Sequence, residues 1–137
     1  MWYDKRADIS ELKGQTLIRI DGLEVGDPGE KGVTFITASG ASYRMFHSQG
    51  CCESVYIEDV IGDVSDLIGS EILVAEEVSS DNEPPKEEGT EAYSYVADSY
   101  TWTFYRLGTI KGSVTIRWYG TSNGYYSESV DFIKLTK

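Results

Sequence analysis

Residues 99–132, SYTWTFYRLGTIKGSVTIRWYGTSNGYYSESVDF, decide the fold. Aromatic and β-branched residues alternate through three successive runs, and the runs are separated by Lys111-Gly112 and by Ser122-Asn123-Gly124. Both separators can supply the positive φ that tight hairpins demand. The stretch therefore predicts a C-terminal three-stranded antiparallel meander that carries many aromatic rings beside Arg106 and Arg117. Such a sheet can hold a flat, anionic small molecule such as a nucleotide, or it can be half of a packed core.

Taking Lys111 and Gly112 as the central turn residues sets Arg106 opposite Arg117, Phe104 opposite Tyr119, and Leu107 opposite Ile116. One face then holds Trp102, Phe104, Arg106, Arg117 and Tyr119. Like charges directly across a ladder repel, a cost offset by a shared anion or by a neighbouring carboxylate. Glu128 or Asp131 on the third strand is the candidate carboxylate, in which case the aromatics form half of a core or a subunit contact. The reading depends on register, because a slip of one residue swaps the faces.

Upstream, the same alternation recurs in shorter pieces. Asp8 to Lys13 has the pattern of one helical turn, with Asp8 or Ser10 to cap it and Gly14 to stop it, and reads as an appendage or lid. TLIRIDGLEV, residues 16–25, predicts a bulged strand or a short hairpin. VTFITASGASYRMFH, residues 33–47, predicts a hairpin turning at Ser39-Gly40 with Val33, Phe35 and Thr37 on one side. SVYIEDVIGD, residues 54–63, is a strand, Asp63 caps the short helix VSDLIG, and EILVAEEVSS returns to strand. Residues 80–92, SDNEPPKEEGTEA, combine two prolines with five acidic residues and no large apolar group, and predict a mobile loop outside the core. The expected fold is one mainly β domain over residues 1–137, of the α+β kind only through one or two short helices.

Composition limits the partners. The 137 residues carry 12 Lys plus Arg against 23 Asp plus Glu, a formal charge of −11. That balance opposes binding to DNA or to anionic membranes, which need a basic footprint. An anionic ligand must find a local basic pocket. No run approaches the roughly 20 apolar residues of a membrane span, and the first residues lack the apolar stretch of a signal peptide, so a cytoplasmic location is expected. The only cysteines are Cys51 and Cys52; their adjacency disfavours a mutual bridge, and reduced thiols are expected.

HSQGCCES, residues 47–54, gathers a histidine, two thiols, an amide and a carboxylate. A zinc site would need ligands that adjacent cysteines supply poorly. A Cys–His nucleophile would need flanking features that are missing. The plainer alternative buries the cysteines as small hydrophobes while His47 and Glu53 close hydrogen bonds. Glycine-rich phosphate loops and the Gly-x-Ser-x-Gly elbow are absent from the sequence, which favours binding over catalysis.

HSQGCCESVYIEDVIGDVSDLIGSEILVAEE, residues 47–77, together with residues 99–132 resembles a family of small proteins encoded by bacteriophages and prophages. Within it, the functional resemblance is to the phage Thoeris anti-defence sponges of the first type, which sequester the glycocyclic ADP-ribose signal made by bacterial TIR proteins. The resemblance implies enzyme-free capture of a cyclic nucleotide, possible capture of cyclic di- or trinucleotides at separate sites, a homo-oligomer such as a dimer or hexamer, no cofactor, and a place in the cytoplasm of the bacterial host. On that reading an adenine ring stacks on Phe104, Trp102 or Tyr119 for about 1–3 kcal/mol while Arg106 and Arg117 grip phosphate. Asn123 can read a base edge or a ribose hydroxyl. Arg19 and Arg44 join the candidates as cations inside strand-like segments. An enzyme that degrades the signal through His47, Glu53 or a thiol, and an acidic inhibitor that binds a bacterial defence protein, are the competing readings.

Overall fold

Nine strands among the described residues form two antiparallel sheets. The computed structural model describes residues 3–26, 31–50, 52–80, 99–122 and 127–136. In chain order the strands are β1 (Tyr3–Arg6), β2 (Leu17–Asp21), β3 (Val33–Thr37), β4 (Ser42–Phe46), β5 (Ser54–Ile61), β6 (Val74–Ser80), β7 (Ser99–Thr109), β8 (Gly112–Ser122) and β9 (Asp131–Thr136). One sheet runs β1-β9-β4-β3-β2 and the other β5-β8-β7-β6. The mainly β expectation holds.

Alternation of apolar and polar residues decides which sides meet. Val114, Ile116 and Trp118 of β8, Tyr105 and Leu107 of β7, and Val55 and Ile57 of β5 are buried against Val33, Phe35, Tyr43, Met45 and Phe132 of the other sheet. The Trp118 indole Nε1 donates to Met45 Sδ across this core at 3.2 Å. Each sheet thus keeps one face inside the core and turns the other outward. The Tyr105 hydroxyl is fully buried with no hydrogen-bond partner in the described structure. Burial, and then the charge of Glu77 opposite it on β6, push that phenol well above its ordinary range.

Several local expectations hold. β3 and β4 form the hairpin turning at Ser39-Gly40, with Val33, Phe35 and Thr37 buried on one side. β2 is a bulged strand, with the irregularity between Leu17 and Arg19 and not around Asp21-Gly22, where the sequence suggested it. Both short helices are single 3-10 turns, Ile9–Leu12 and Val64–Leu67, and no α-helix occurs among the described residues. Asp8 caps the first in a reciprocal capping box with Glu11, and Asp63 caps the second through the Ser65 amide. The first turn is no appendage: Ile9 and Leu12 are buried in the core.

The three-stranded C-terminal meander does not form. β7 and β8 make the long hairpin, but β9 leaves it and inserts between β1 and β4 of the other sheet. The reason is that β5 already occupies the free edge of β8. Beyond Ser122 the chain folds back instead: Glu128 accepts hydrogen bonds from Thr101, at 2.8 Å, and from the Ser122 hydroxyl. Gly120 permits this return, since a Cβ there would lie 2.8 Å from the Glu128 carbonyl oxygen. The acidic loop expected at 80–92 lies outside the described residues except for Ser80, which closes β6.

Candidate functional site

The outward face of the β5-β8-β7-β6 sheet gathers most of the residues the sequence singled out. Its register differs from expectation by two residues. Thr109 pairs with Gly112, so Ile110 and Lys111 are the central turn residues, and Trp102 faces Tyr119, Phe104 faces Arg117, and Arg106 faces Thr115. A shift of two keeps every side chain on its expected face. It does abolish the facing of Arg106 with Arg117, and with it the argument that a shared anion offsets their repulsion.

Aromatic planes dominate one row. Trp102 and Tyr119 have ring centroids 4.4 Å apart, and Tyr56 of β5 meets Tyr119 edge-on at 6.2 Å. Phe104 lies along β7 at 6.4 Å from Trp102, nearly parallel to it. The Arg117 guanidinium sits 5.6 Å from the Trp102 ring centroid, within cation–π range. All four rings are only partly buried. Val78, beside Phe104 on β6, and Ile61, beside Thr115 on β5, extend the face with exposed apolar groups.

The arginines are held by carboxylates, although not by the expected ones. Arg117 donates from Nε to Glu58 Oε1 at 2.6 Å, and its Nη2 lies 2.5 Å from the same oxygen and 3.5 Å from Asp59 Oδ2. Arg106 pairs loosely with Glu76 at 3.7 Å, both side chains more than half exposed. Such an exposed pair contributes little and is readily exchanged for another anion. Glu128 serves Thr101 and Ser122 instead, and Asp131 pairs with Arg6 at 3.4 Å. Neither Glu58 nor Asp59 is among the residues that the sequence singles out. The alternation of Tyr56 and Glu58 with buried Val55 and Ile57 was the available signal, but nothing in it names β8 as the neighbouring strand.

The remaining candidates lie elsewhere. Arg19 and Arg44 belong to the other sheet, on β2 and β4, so the structure does not bring them to the Trp102 face. Arg19 pairs with Asp21 at 2.8 Å, and Arg44 stacks on Phe46 at 4.3 Å. Asn123 lies outside the described residues.

The His47 cluster resolves into a structural tie. His47 Nε2 lies 2.7 Å from Glu53 Oε2 and Nδ1 lies 2.7 Å from the Ser129 carbonyl oxygen, with both side chains 1% exposed. Glu53 also accepts the Gly50 amide at 2.6 Å. The tie joins the β4–β5 loop to the segment before β9, and leaves no solvent-facing base. Cys52 is exposed and disulfide-bonded, which corrects the expectation of a reduced, buried thiol; Cys51 lies outside the described residues. Among the described residues no group of three or more His, Cys, Asp or Glu side chains is placed to hold a metal ion. Among the described residues no helix is long and apolar enough to cross a membrane.

No curated protein and no solved structure matches the chain. A family model described as "Domain of unknown function (DUF7448)" matches residues 10–132, which include strands β2 to β8 and the whole Trp102 face, and the chain belongs to that family.

Proposed function

We propose that this protein is a non-catalytic binding protein whose outward β5-β8-β7-β6 face stacks the planar ring of a small nucleotide. The observation that carries the reading is the Trp102–Tyr119 pair at 4.4 Å, flanked by Phe104 and by the Arg117 guanidinium on a partly exposed sheet face. Stacking on such rings is worth about 1–3 kcal/mol per base and tolerates any heterocycle. The resemblance to phage anti-defence sponges supplies the specific candidate: a cyclic nucleotide immune signal, glycocyclic ADP-ribose foremost and cyclic di- or trinucleotides beside it. In this reading the protein acts in the cytoplasm of the bacterial host as a homo-oligomer and holds the signal intact.

The test is retention. The protein is mixed with glycocyclic ADP-ribose, free ligand is removed, and the protein is heated. Recovery of unaltered ligand in near-stoichiometric amount supports sequestration; no retention sinks it, and an altered product at substoichiometric protein marks an enzyme instead.

The exposed Val78 and Ile61, at 57% and 49%, favour a second reading in which the same face docks on a bacterial defence protein as an acidic inhibitor. That reading predicts no small-molecule thermal shift and a complex weakened by salt.

A further inference from the structure

Arg117 is poorly suited to the role of phosphate grip. Two carboxylates, Glu58 and Asp59, lie within 3.5 Å of its guanidinium, so the cluster has a net charge of −1 and an incoming phosphate meets like charge. Asp59 is further committed through Oδ1, which accepts the Val60 amide at 2.8 Å. Glu58 is not used up in this way. Its Oε1 takes both contacts from Arg117, and among the described residues Oε2 has no partner. The side chain is 34% exposed and the arginine 28%, and the guanidinium that Glu58 meets lies 5.6 Å from the Trp102 ring centroid. Arg117 Nη1 likewise makes no such contact among the described residues.

A fixed acceptor beside a fixed donor, at the edge of an aromatic platform, has the pattern that reads a ring edge rather than a phosphate. We propose that Glu58 is a specificity-determining residue of this face: with Arg117 locking its carboxylate, Oε2 accepts a hydrogen bond from an exocyclic amine on the heterocycle stacked against Trp102. The phosphate end of the ligand then falls to Arg106. That residue stands two positions beyond Phe104 on β7, about 6.8 Å along the strand, and its loose partner Glu76 is easily displaced. The inference rests on the stacking reading given above and adds the class of ring that the face prefers.

Adenosine 5′-monophosphate and purine riboside 5′-monophosphate separate the two claims, because they differ only at the 6-position of the ring, an amine donor in the first and a hydrogen atom in the second. Calorimetric titration of the full chain is expected to show the amine-bearing nucleotide binding roughly 10–150-fold more tightly, the range for one hydrogen bond to a charged group. In Glu58→Gln the acceptor is a neutral amide oxygen in place of a carboxylate, and the preference should shrink. Equal affinity of the wild-type protein for both nucleotides, with binding lost in Trp102→Ala, would overturn the role of Glu58 and leave the stacking reading intact. Absence of binding by either nucleotide would overturn both. The wild-type comparison needs no variant, so it stands even if Glu58→Gln fails to fold.

Discussion

Trp102 on β7 and Tyr119 on β8 face each other across the hairpin ladder, their ring centroids 4.4 Å apart and tilted by 42°. The pair is at once a piece of sheet stability and the centre of the candidate site, and the two roles can be separated by measurement. A double-mutant cycle with Trp102→Ala and Tyr119→Ala, followed by urea unfolding, should return a coupling energy of about 0.5–1.5 kcal/mol. A coupling indistinguishable from zero would mean that the rings merely coexist.

The His47–Glu53 tie should be costly to break from either side. Both imidazole nitrogens lie 2.7 Å from an oxygen, Glu53 Oε2 on one side and the Ser129 carbonyl on the other, so the ring is tied at both ends. Removing one member takes from the other its side-chain partner inside the core. His47→Ala and Glu53→Ala are each expected to lose about 3–5 kcal/mol of unfolding free energy. The double variant should lose markedly less than the sum, as read from denaturant midpoints.

Glu77 and Tyr105 face each other across the β6–β7 ladder, and burial disfavours the ionised form of each. Desolvation, and after it the charge of Asp8, raise the Glu77 pKa above its ordinary 4.5. A raised carboxylate pKa means that the folded state binds the proton more tightly than the unfolded one, so the wild-type chain loses stability as pH rises from the ordinary value through the raised one. Glu77→Gln should therefore stabilise at neutral pH, with the advantage vanishing below the ordinary carboxylate range. Tyr105→Phe removes a buried hydroxyl that has no partner and should be neutral or stabilising. Thermal melts between pH 3 and 8, on the order of that whole window, check both.

The caps work in the opposite direction. Hydrogen bonds from Ser10 hold Asp8, and those from Ser65 hold Asp63, below their ordinary 3.8. Their contribution is complete above that value and is lost as pH falls through the lowered one. Asp8→Asn and Asp63→Asn, which keep the capping geometry, should flatten the acid limb of the stability profile while leaving neutral-pH melting nearly unchanged. A limb as steep as that of the wild type would exclude these carboxylates as its source.

Gly62 and Gly112 offer a paired test of backbone constraint. At Gly62, φ is +113° and an added Cβ would run into the Ser113 carbonyl oxygen, a backbone atom that cannot swing aside. Gly62→Ala should cost at least about 2 kcal/mol. At Gly112 the obstacle is the Asp66 carboxylate, the far end of a side chain. Gly112→Ala should be tolerated within about 1 kcal/mol as Asp66 rotates. Chemical denaturation of the two variants side by side reads the difference.

What could be read from the sequence followed the range of the interactions involved. Facing and turn chemistry are local: Val33, Phe35 and Thr37 went inward, Asp8 and Asp63 capped, and the Trp102, Phe104, Arg106, Arg117 and Tyr119 set stayed on one side even though its register moved by two. Strand neighbours are not local. That β5 takes the edge of β8, that Glu58 rather than Glu128 meets Arg117, and that Arg19 and Arg44 sit on a different sheet all depend on which strands adjoin. Alternation within a strand carries no information about that choice. For the same reason the expected two-arginine pocket became one tethered arginine and one loosely paired one.

The placement of β9 between β1 and β4 also governs how this chain finds its fold. Tyr3 pairs with Thr136, 133 positions later, and among the described residues the β1 strand has no other neighbour in its sheet. Its hydrogen bonds are thus withheld until nearly the whole chain is in place. Loop closure of that length yields no stabilisation until it is complete, so the five-stranded sheet should form late, after the local β3–β4 and β7–β8 hairpins. Refolding should be slow for a domain of this size, in the millisecond-to-second range typical of topologies dominated by distant pairings.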